Sequence, residues 1–261
     1  MERIHRATEQ IVRSLHSKLL SQHGFRHAFS TRVGGVSAAP YDTLNLGLRL
    51  GDDDVAVCEN RVRFATSLGL DVDRLFEQRQ VHGTRVRDVS ELAQAVADEE
   101  GDGLIARVDG YGIAARTGDC VPVLIAHPSS GHVGAAHAGW RGAVAGVVLR
   151  AIKALSHNPA ELIVAIGPHI RVDAFEIDED VAREMEQAAD GRPVVRRGGE
   201  KPHGDLGALI RFQLRDAGVP DQSIDDLGGC TFADAAQFFS HRRENGKTGR
   251  HLSAIVAGPS R

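Results

Sequence analysis

Two residues able to ligate a metal flank a pair of short apolar runs in the middle of the chain. Cys120 stands just before the run Val121–Ala126, and His137 follows the run from Val133 to Ala136. Between the runs lies Pro128-Ser129-Ser130-Gly131. A turn of that length permits a hairpin and no crossover, so the runs are expected to pair antiparallel. Antiparallel pairing sets the start of the first strand beside the end of the second, which brings Cys120 next to His137. A soft thiolate and an imidazole at one strand edge suit a borderline metal such as zinc. Ala138-Gly139-Trp140-Arg141-Gly142 follows, and then a helical pattern from Ala143 to Leu155.

Other candidates lie outside this stretch. Thr31-Arg32-Val33-Gly34-Gly35-Val36-Ser37 is a glycine-rich loop with one arginine. Such loops often cradle an anion through backbone N–H groups, so Arg32, Gly35 and Ser37 are candidates for phosphate or ribose contact; a surface hairpin is the plainer reading. Asn45 could bond a base or a sugar, and Arg141 is a second phosphate candidate. Asp119, adjacent to Cys120, could act as general base, orient a ligand histidine or simply cap a turn. His82 precedes Gly83 at a break in an apolar alternation, which frees it to point into a cleft, although a lone histidine is more often structural. Trp140 could stack on a purine or pack in the core. His169 and Arg243 are weaker candidates.

The elements needed to position these residues follow from periodicity. Helical spacing covers residues 4–20, residues 54–68 behind a cap at Asp52, Asp53 or Asp54, the stretch from Asp178 to Ala189, and residues 206–217 behind Asp205. Cys58 is expected to be a small core-facing thiol. Strands are expected over Phe25 to Thr31, Leu75 to Val89 with a break at His82-Gly83, Leu162 to Ile166, Ile224 to Cys230 and Gly249 to Val256. Glu91 to Glu100 reads as a short acidic helix, and residues 190–203 as a mobile loop. No linker divides the chain. Hairpins mixed with helices predict α+β packing with mixed sheets.

Bulk properties narrow the function classes. The 261 residues are 42% hydrophobic and 25% charged, with a formal net charge of -4, so no nucleic-acid surface is expected. No apolar run reaches the roughly 18 residues of a membrane helix, and the N-terminus lacks the apolar core of a secretory signal. Three cysteines, Cys58, Cys120 and Cys230, are too few and odd in number for a disulfide framework, which favours a reducing, cytoplasmic setting.

The runs TRVGGVS, YDTLNLG, GDD, QVHGTRV, TGDCVPVLIA, VGAAHAGWRG, AIGPHI and FFSHRR…TGRHLSAIV occur in this order. Together they resemble the laccase-domain family, first labelled multicopper polyphenol oxidases and later read as zinc-dependent purine nucleoside phosphorylases with adenosine deaminase activity. The resemblance spans about residues 25–257. It implies a single domain with sheets packed between helices in α/β/β/α-like layers, placed over 25–261, and the helical spacing before it makes residues 1–24 a helical extension. It also implies a metal held by His82, Cys120 and His137, and so adds His82 to the pair set by the hairpin. The implied metal is zinc, with copper as the alternative. The implied substrates are purine nucleosides (adenosine, inosine, guanosine, methylthioadenosine) and phosphate, handled by a monomer or homodimer.

Donor chemistry weighs against an oxidase. A blue-copper centre needs two histidines, a cysteine and an axial ligand, commonly methionine, yet Met1 and Met185 are both far from Cys120 in sequence. No His-x-His pair occurs, although multicopper centres commonly use them. The H-x-E and P-C-x-x-C motifs of nucleobase deaminases are also missing, so any deamination needs a different architecture. A zinc-site hydrolase or amidase acting on a cell-wall precursor, and a non-catalytic metal-binding module, are the alternative readings.

Overall fold

The central strands are apolar on both faces, and that decides the architecture. Along Val121–Ala126 every residue is buried. Val121, Val123 and Ile125 belong to one core, Leu124 and Ala126 to another. A strand with two dry faces must be covered on both sides, which requires a stack of layers.

The computed structural model describes residues 11–92 and 96–259. In chain order the strands are β1 (Ser14–Leu15), β2 (Phe25–Ser30), β3 (Leu75–Phe76), β4 (Val86–Asp88), β5 (Gly103–Ala106), β6 (Gly112–Thr117), β7 (Val121–Ala126), β8 (Val133–Ala138), β9 (Ile163–Ile166), β10 (Val195–Arg196), β11 (His203–Gly204), β12 (Ile224–Asp226) and β13 (His251–Pro259). The helices are α1 (Lys18–Gln22), α2 (Asp54–Ser67), α3 (Val89–Leu92), α4 (Trp140–Val144), α5 (Val147–Leu155), α6 (Glu179–Ala188) and α7 (Leu206–Asp216).

A five-stranded sheet has the order β1-β2-β13-β6-β3, and a six-stranded sheet the order β12-β9-β7-β8-β5-β4. Both are mixed: β3 runs parallel to β6, β4 to β5 and β12 to β9, while the remaining pairs are antiparallel. Phe29, Ile113 and Ile255 of the first sheet meet Leu104, Leu124 and Ala165 of the second in a core between the sheets. Ala114, Leu252 and Ala254 cover the outer face of the first sheet against Phe64 and Ala65 of α2. Val123, Ile125 and Val164 do the same for the second sheet against residues of α5, α6 and α7. The result is an α/β/β/α stack in one α+β domain, as the sequence predicts.

Caps fall where the side chains can make them. Asp53 accepts from Val55 N at the start of α2, and Asp205 from Ala208 N at the start of α7. The helix expected over 143–155 is split, because Gly146 adopts φ 78° and divides α4 from α5.

Several expectations differ from what forms. Of the helix expected over 4–20, residues 4–10 lie outside the described residues. Ser14–Leu15 is a strand paired with β2, and only Lys18–Gln22 is helical. Cys58 is exposed on α2 instead of facing the core. The expected strand from Leu75 to Val89 is two short strands in different sheets, because the chain crosses between the sheets there. The loop expected over 190–203 contains β10, which pairs with β11. Of the acidic helix expected over 91–100, residues 93–95 lie outside the described residues, and Val96–Asp98 is a 3-10 turn.

Candidate metal centre

The expected antiparallel hairpin forms, with Val121 paired to Ala138 and Pro122 to His137. Cys120 therefore sits at the strand edge beside His137. Two connections between the sheets complete the site. One runs from β3 to β4 and carries His82. The other runs from β6 to β7 through Gly118-Asp119 and carries Cys120. Both connections turn through left-handed backbone at a non-glycine residue, φ 59° at His82 and φ 112° at Asp119. Such conformations are unfavourable alone and persist where surrounding bonds hold them.

The holding bonds at His82 come from Asp102, whose side chain is fully buried. Its Oδ1 accepts from His82 N at 3.0 Å, and its Oδ2 from Gly83 N at 2.7 Å and Val81 N at 3.2 Å. The same Oδ1 lies 2.8 Å from His137 Nδ1. One carboxylate thus fixes the peptide that carries one histidine and the ring of the other. With Nδ1 bonded to Asp102, Nε2 of His137 is free to ligate, the usual arrangement of a metal-bound histidine and its outer carboxylate. Nothing in the sequence singles out Asp102. It faces His137 because β5 pairs with β8, a pairing with no local signal.

Ligand atoms of His82, Cys120 and His137 all lie within 4.8 Å of one another, with Cys120 Sγ 3.8 Å from His82 Nε2. Tetrahedral bonds of about 2.3 Å to sulfur and about 2.0 Å to nitrogen would set neighbouring donors about 3.3–3.6 Å apart. The donor set fits a zinc ion with one open position once the widest-spaced donors, up to 4.8 Å apart, close by about 1.2–1.5 Å. Gly139 makes room for it. A Cβ there would overlap His82 Cδ2 and lie 3.2 Å from Cys120 Sγ, so the glycine of the AHAGW turn is sterically required. Burial opposes the Cys120 thiolate, but the neighbouring charge and hydrogen bond of His137, and then of His82, outweigh it and bring the thiol down to about 6. Burial likewise opposes the His137 imidazolium, and Cys120 and then Asp102 outweigh it and raise the ring to about 9. Without a metal the pair thus leans towards a Cys120 thiolate beside a His137 imidazolium, whose Nε2 proton a bound metal would displace.

The three candidate ligands open onto a cavity of about 350 Å³ whose wall includes Asp119, Arg116, His241, Arg242 and Arg250. Asp119 Oδ1 accepts from Thr231 Oγ1 at 2.7 Å and Oδ2 from Arg242 N at 2.7 Å, and burial raises its carboxyl above the ordinary range. Neither oxygen bonds a ligand histidine; Asp102 does that.

The remaining expected site residues are held elsewhere. Arg32 Nε donates to Asp42 O at 2.8 Å, its Nη1 donates to Ala235 O, its Nη2 pairs with Asp42, and it packs on Phe239, away from the cavity wall. Gly35 is crowded against Thr43 O and Asn60 Oδ1. Ser37 Oγ donates to Asp52 at 2.7 Å and accepts from Asn60. Asn45 is fully buried; it donates to Asp52, and its Oδ1 accepts from Gly47 N and from Arg250 N. Arg141 is exposed and stacks on Trp140 at 4.4 Å, and Trp140 packs against the second sheet's helical core. His169 is fully buried with Nδ1 bonded to Gly167 O, and Arg243 ties together the carbonyls of Thr231, Phe232 and Phe238. The glycine-rich loop is thus packed scaffold in this structure, and the cavity's cations come from Arg116, Arg242 and Arg250.

A two-sheet α+β domain with a Cys-His-His cluster where the chain changes sheets defines the class of protein. The family model described as multi-copper polyphenol oxidoreductase laccase matches residues 26–258, and the chain belongs to that family. Over 238 residues it is 41% identical to a Deinococcus radiodurans protein named purine nucleoside phosphorylase, covering 90% of each chain. It is 37% identical to purine nucleoside phosphorylase YfiH of Escherichia coli, covering 87% of this chain and 91% of that one. Among solved structures, YlmD from Geobacillus stearothermophilus superposes with a TM-score of 0.83 at 32% identity, covering 95% of this chain and 99% of that one. A Bacillus licheniformis protein, YfiH, gives 0.84 at 30% identity, covering 92% and 94%. No helix among the described residues is long and apolar enough to cross a membrane.

Proposed function

We propose that this chain is a zinc-dependent purine nucleoside phosphorylase, converting adenosine, inosine, guanosine or methylthioadenosine and phosphate into the base and a ribose 1-phosphate, with adenosine deamination as a second activity. The observation that carries this reading is the Cys-His-His cluster on the wall of a cavity of about 350 Å³. That volume lies within the range of about 300–1,000 Å³ typical of small-molecule sites. The names of the relatives supply the substrate class.

His82, Cys120 and His137 would hold the ion, which supplies Lewis acidity to a substrate oxygen or nitrogen when bound. Asp102 orients two of the three ligands and stays off the substrate. Asp119 is the proton acceptor in this reading. It stands on the cavity wall next to Cys120, and burial lifts its affinity for a proton against the hydrogen bonds from Thr231, Arg242 and Ser240. In phosphorolysis the C1′–N9 bond breaks, a C1′–O bond to phosphate forms, and the departing purine takes up a proton. In deamination the same wall would handle the proton of the attacking water while ammonia leaves C6.

The test uses metal-quantified protein with inosine and adenosine, each with and without phosphate, following free base, ribose 1-phosphate and ammonia. Phosphate-dependent base release, abolished in His82→Ala and Cys120→Ala, is the expected result. One zinc per chain with no turnover of any nucleoside would overturn the phosphorylase reading and favour a zinc hydrolase of another substrate.

A further inference from the structure

Three guanidinium groups face the metal cavity, and they lack close carboxylate partners. Among the described residues Arg250 and Arg242 make no ion pair, and Arg116 has one at 3.8 Å, to Glu77. Asp119 is the only carboxylate among the lining residues, and both its oxygens are engaged.

The Arg250 side chain is held in place by the fold. Its arm passes between two glycines. A Cβ on Gly47 would lie 2.9 Å from Arg250 Cβ and Cγ, and one on Gly118 would lie 2.8 Å from Arg250 Cδ. Its backbone N–H donates to Asn45 Oδ1 at 2.9 Å. Its Nη1 donates to the carbonyls of Thr248 and Gly249, and its Nη2 lies 3.0 Å from His241 Nδ1. With Nδ1 accepting there, the His241 proton sits on Nε2 as a further donor. Arg250 Nε has no hydrogen-bond partner among the described residues. Leu252 is the register partner of Arg116, so Arg250 and Arg116 reach the cavity from neighbouring strand ends. Burial lowers the affinity of Arg250 for its own proton; the charge of Asp119 offsets part of this, and the positive field of Arg116 adds to it. Keeping like charges together in a half-buried cavity costs free energy unless an anion joins them.

We propose that Arg250 and Arg116, with Arg242 at the rim, form an oxyanion subsite beside the metal cluster that takes a tetrahedral dianion of the phosphate class. The reading of that anion as co-substrate rests on the phosphorylase activity proposed above; the binding site itself does not. Gly47 and Gly118 then leave room for the Arg250 arm, and Asn45 fixes the backbone that carries it.

The probe is inorganic phosphate, titrated calorimetrically into the protein in zinc-loaded and chelator-treated forms, with no nucleoside present. Arg250→Gln and Arg116→Gln are each expected to weaken phosphate binding about 10- to 100-fold, the usual worth of a charge-assisted contact, in both forms. Arg250→Lys should recover part of the loss, because it keeps the charge and loses the fork. Zinc content and melting temperature of each variant establish that the fold and the ligand cluster are intact. Undiminished phosphate affinity in both glutamine variants would overturn the proposal. So would binding that vanishes with the metal and ignores the arginines. If phosphate binds through these arginines and no nucleoside is cleaved, the subsite stands and the phosphorylase reading fails. If phosphorolysis proceeds with an unchanged KM for phosphate in both variants, the activity stands and this subsite fails.

Discussion

Replacing Asp102 with asparagine keeps the shape of the side chain and removes half of its acceptors. The carboxylate serves His137 Nδ1 and His82 N through Oδ1, and Val81 N and Gly83 N through Oδ2. An amide offers one oxygen and one NH2. If the NH2 replaces Oδ1, His137 must accept at Nδ1, and its proton moves to Nε2, the nitrogen needed by a metal. If the NH2 replaces Oδ2, the N–H groups of Val81 and Gly83 face a donor, and the left-handed turn at His82 loses its support. The first orientation strands the His82 N–H and the second strands two, those of Val81 and Gly83. At about 1–3 kcal/mol for each buried donor, the metal-free protein should lose about 1–6 kcal/mol. Outer-shell substitutions of this kind typically weaken metal binding about 10–100-fold. The assay is chelator competition for zinc, run beside thermal unfolding of the metal-free protein. Asp102→Asn with zinc affinity within about twofold of wild type and an unchanged melting temperature would refute the argument that this carboxylate organises the site.

Further expectations follow from individual contacts. Cys120→Ser and His82→Ala should each reduce bound zinc from one per chain to a small fraction, read by atomic absorption after dialysis. Gly139→Ala should push against His82 and Cys120 and lower zinc affinity at least about tenfold with little change in circular dichroism, while retained affinity would show that the turn can give way. Phe64→Ala, at a fully buried position between α2 and the first sheet, should cost about 3–5 kcal/mol in urea unfolding while leaving the zinc stoichiometry of the folded fraction unchanged. Burial lowers His169 and His251 to about 4, so the folded chain keeps both neutral while the unfolded chain protonates them near pH 6.5. Stability should therefore be full above pH 6.5 and fall as the pH drops towards 4, with a limiting slope of about 2.7 kcal/mol per pH unit for the two groups. A flat urea midpoint across that window would contradict it.

The local parts of the site were legible in the sequence. A four-residue turn between two apolar runs dictates the hairpin, and the hairpin dictates that Cys120 meets His137. What was not legible depends on sheet order. Asp102 reaches His137 only because β5 lies beside β8, and Arg250 reaches the cavity only because β13 inserts between β2 and β6. Both pairings join segments far apart in sequence and carry no spacing signal. The glycine-rich loop shows the converse. Arg32, Gly35 and Ser37 have the composition of an anion cradle, but a buried Asn60 and the Thr43 carbonyl occupy the space in front of them. Glycine there answers to close packing of backbone on backbone. The same physical need, small residues where atoms approach, serves a cradle and a packed corner equally, and composition does not separate the two.

The β7–β8 hairpin also gives the sandwich a polarity. β7 begins beside Cys120 and at about 3.3 Å per residue ends about 20 Å away, where the turn exposes Ser129 and Ser130. All the chemistry gathers at one rim, while the far rim is a solvated bend tied down by backbone bonds between His127 and His132 and between Gly131 and Gly258. The molecule therefore offers a natural handle. A fluorophore, surface tether or fused partner attached at the serine tip would stand a full strand length from the cavity mouth, coupled to it through rigid sheet and out of the way of anything entering.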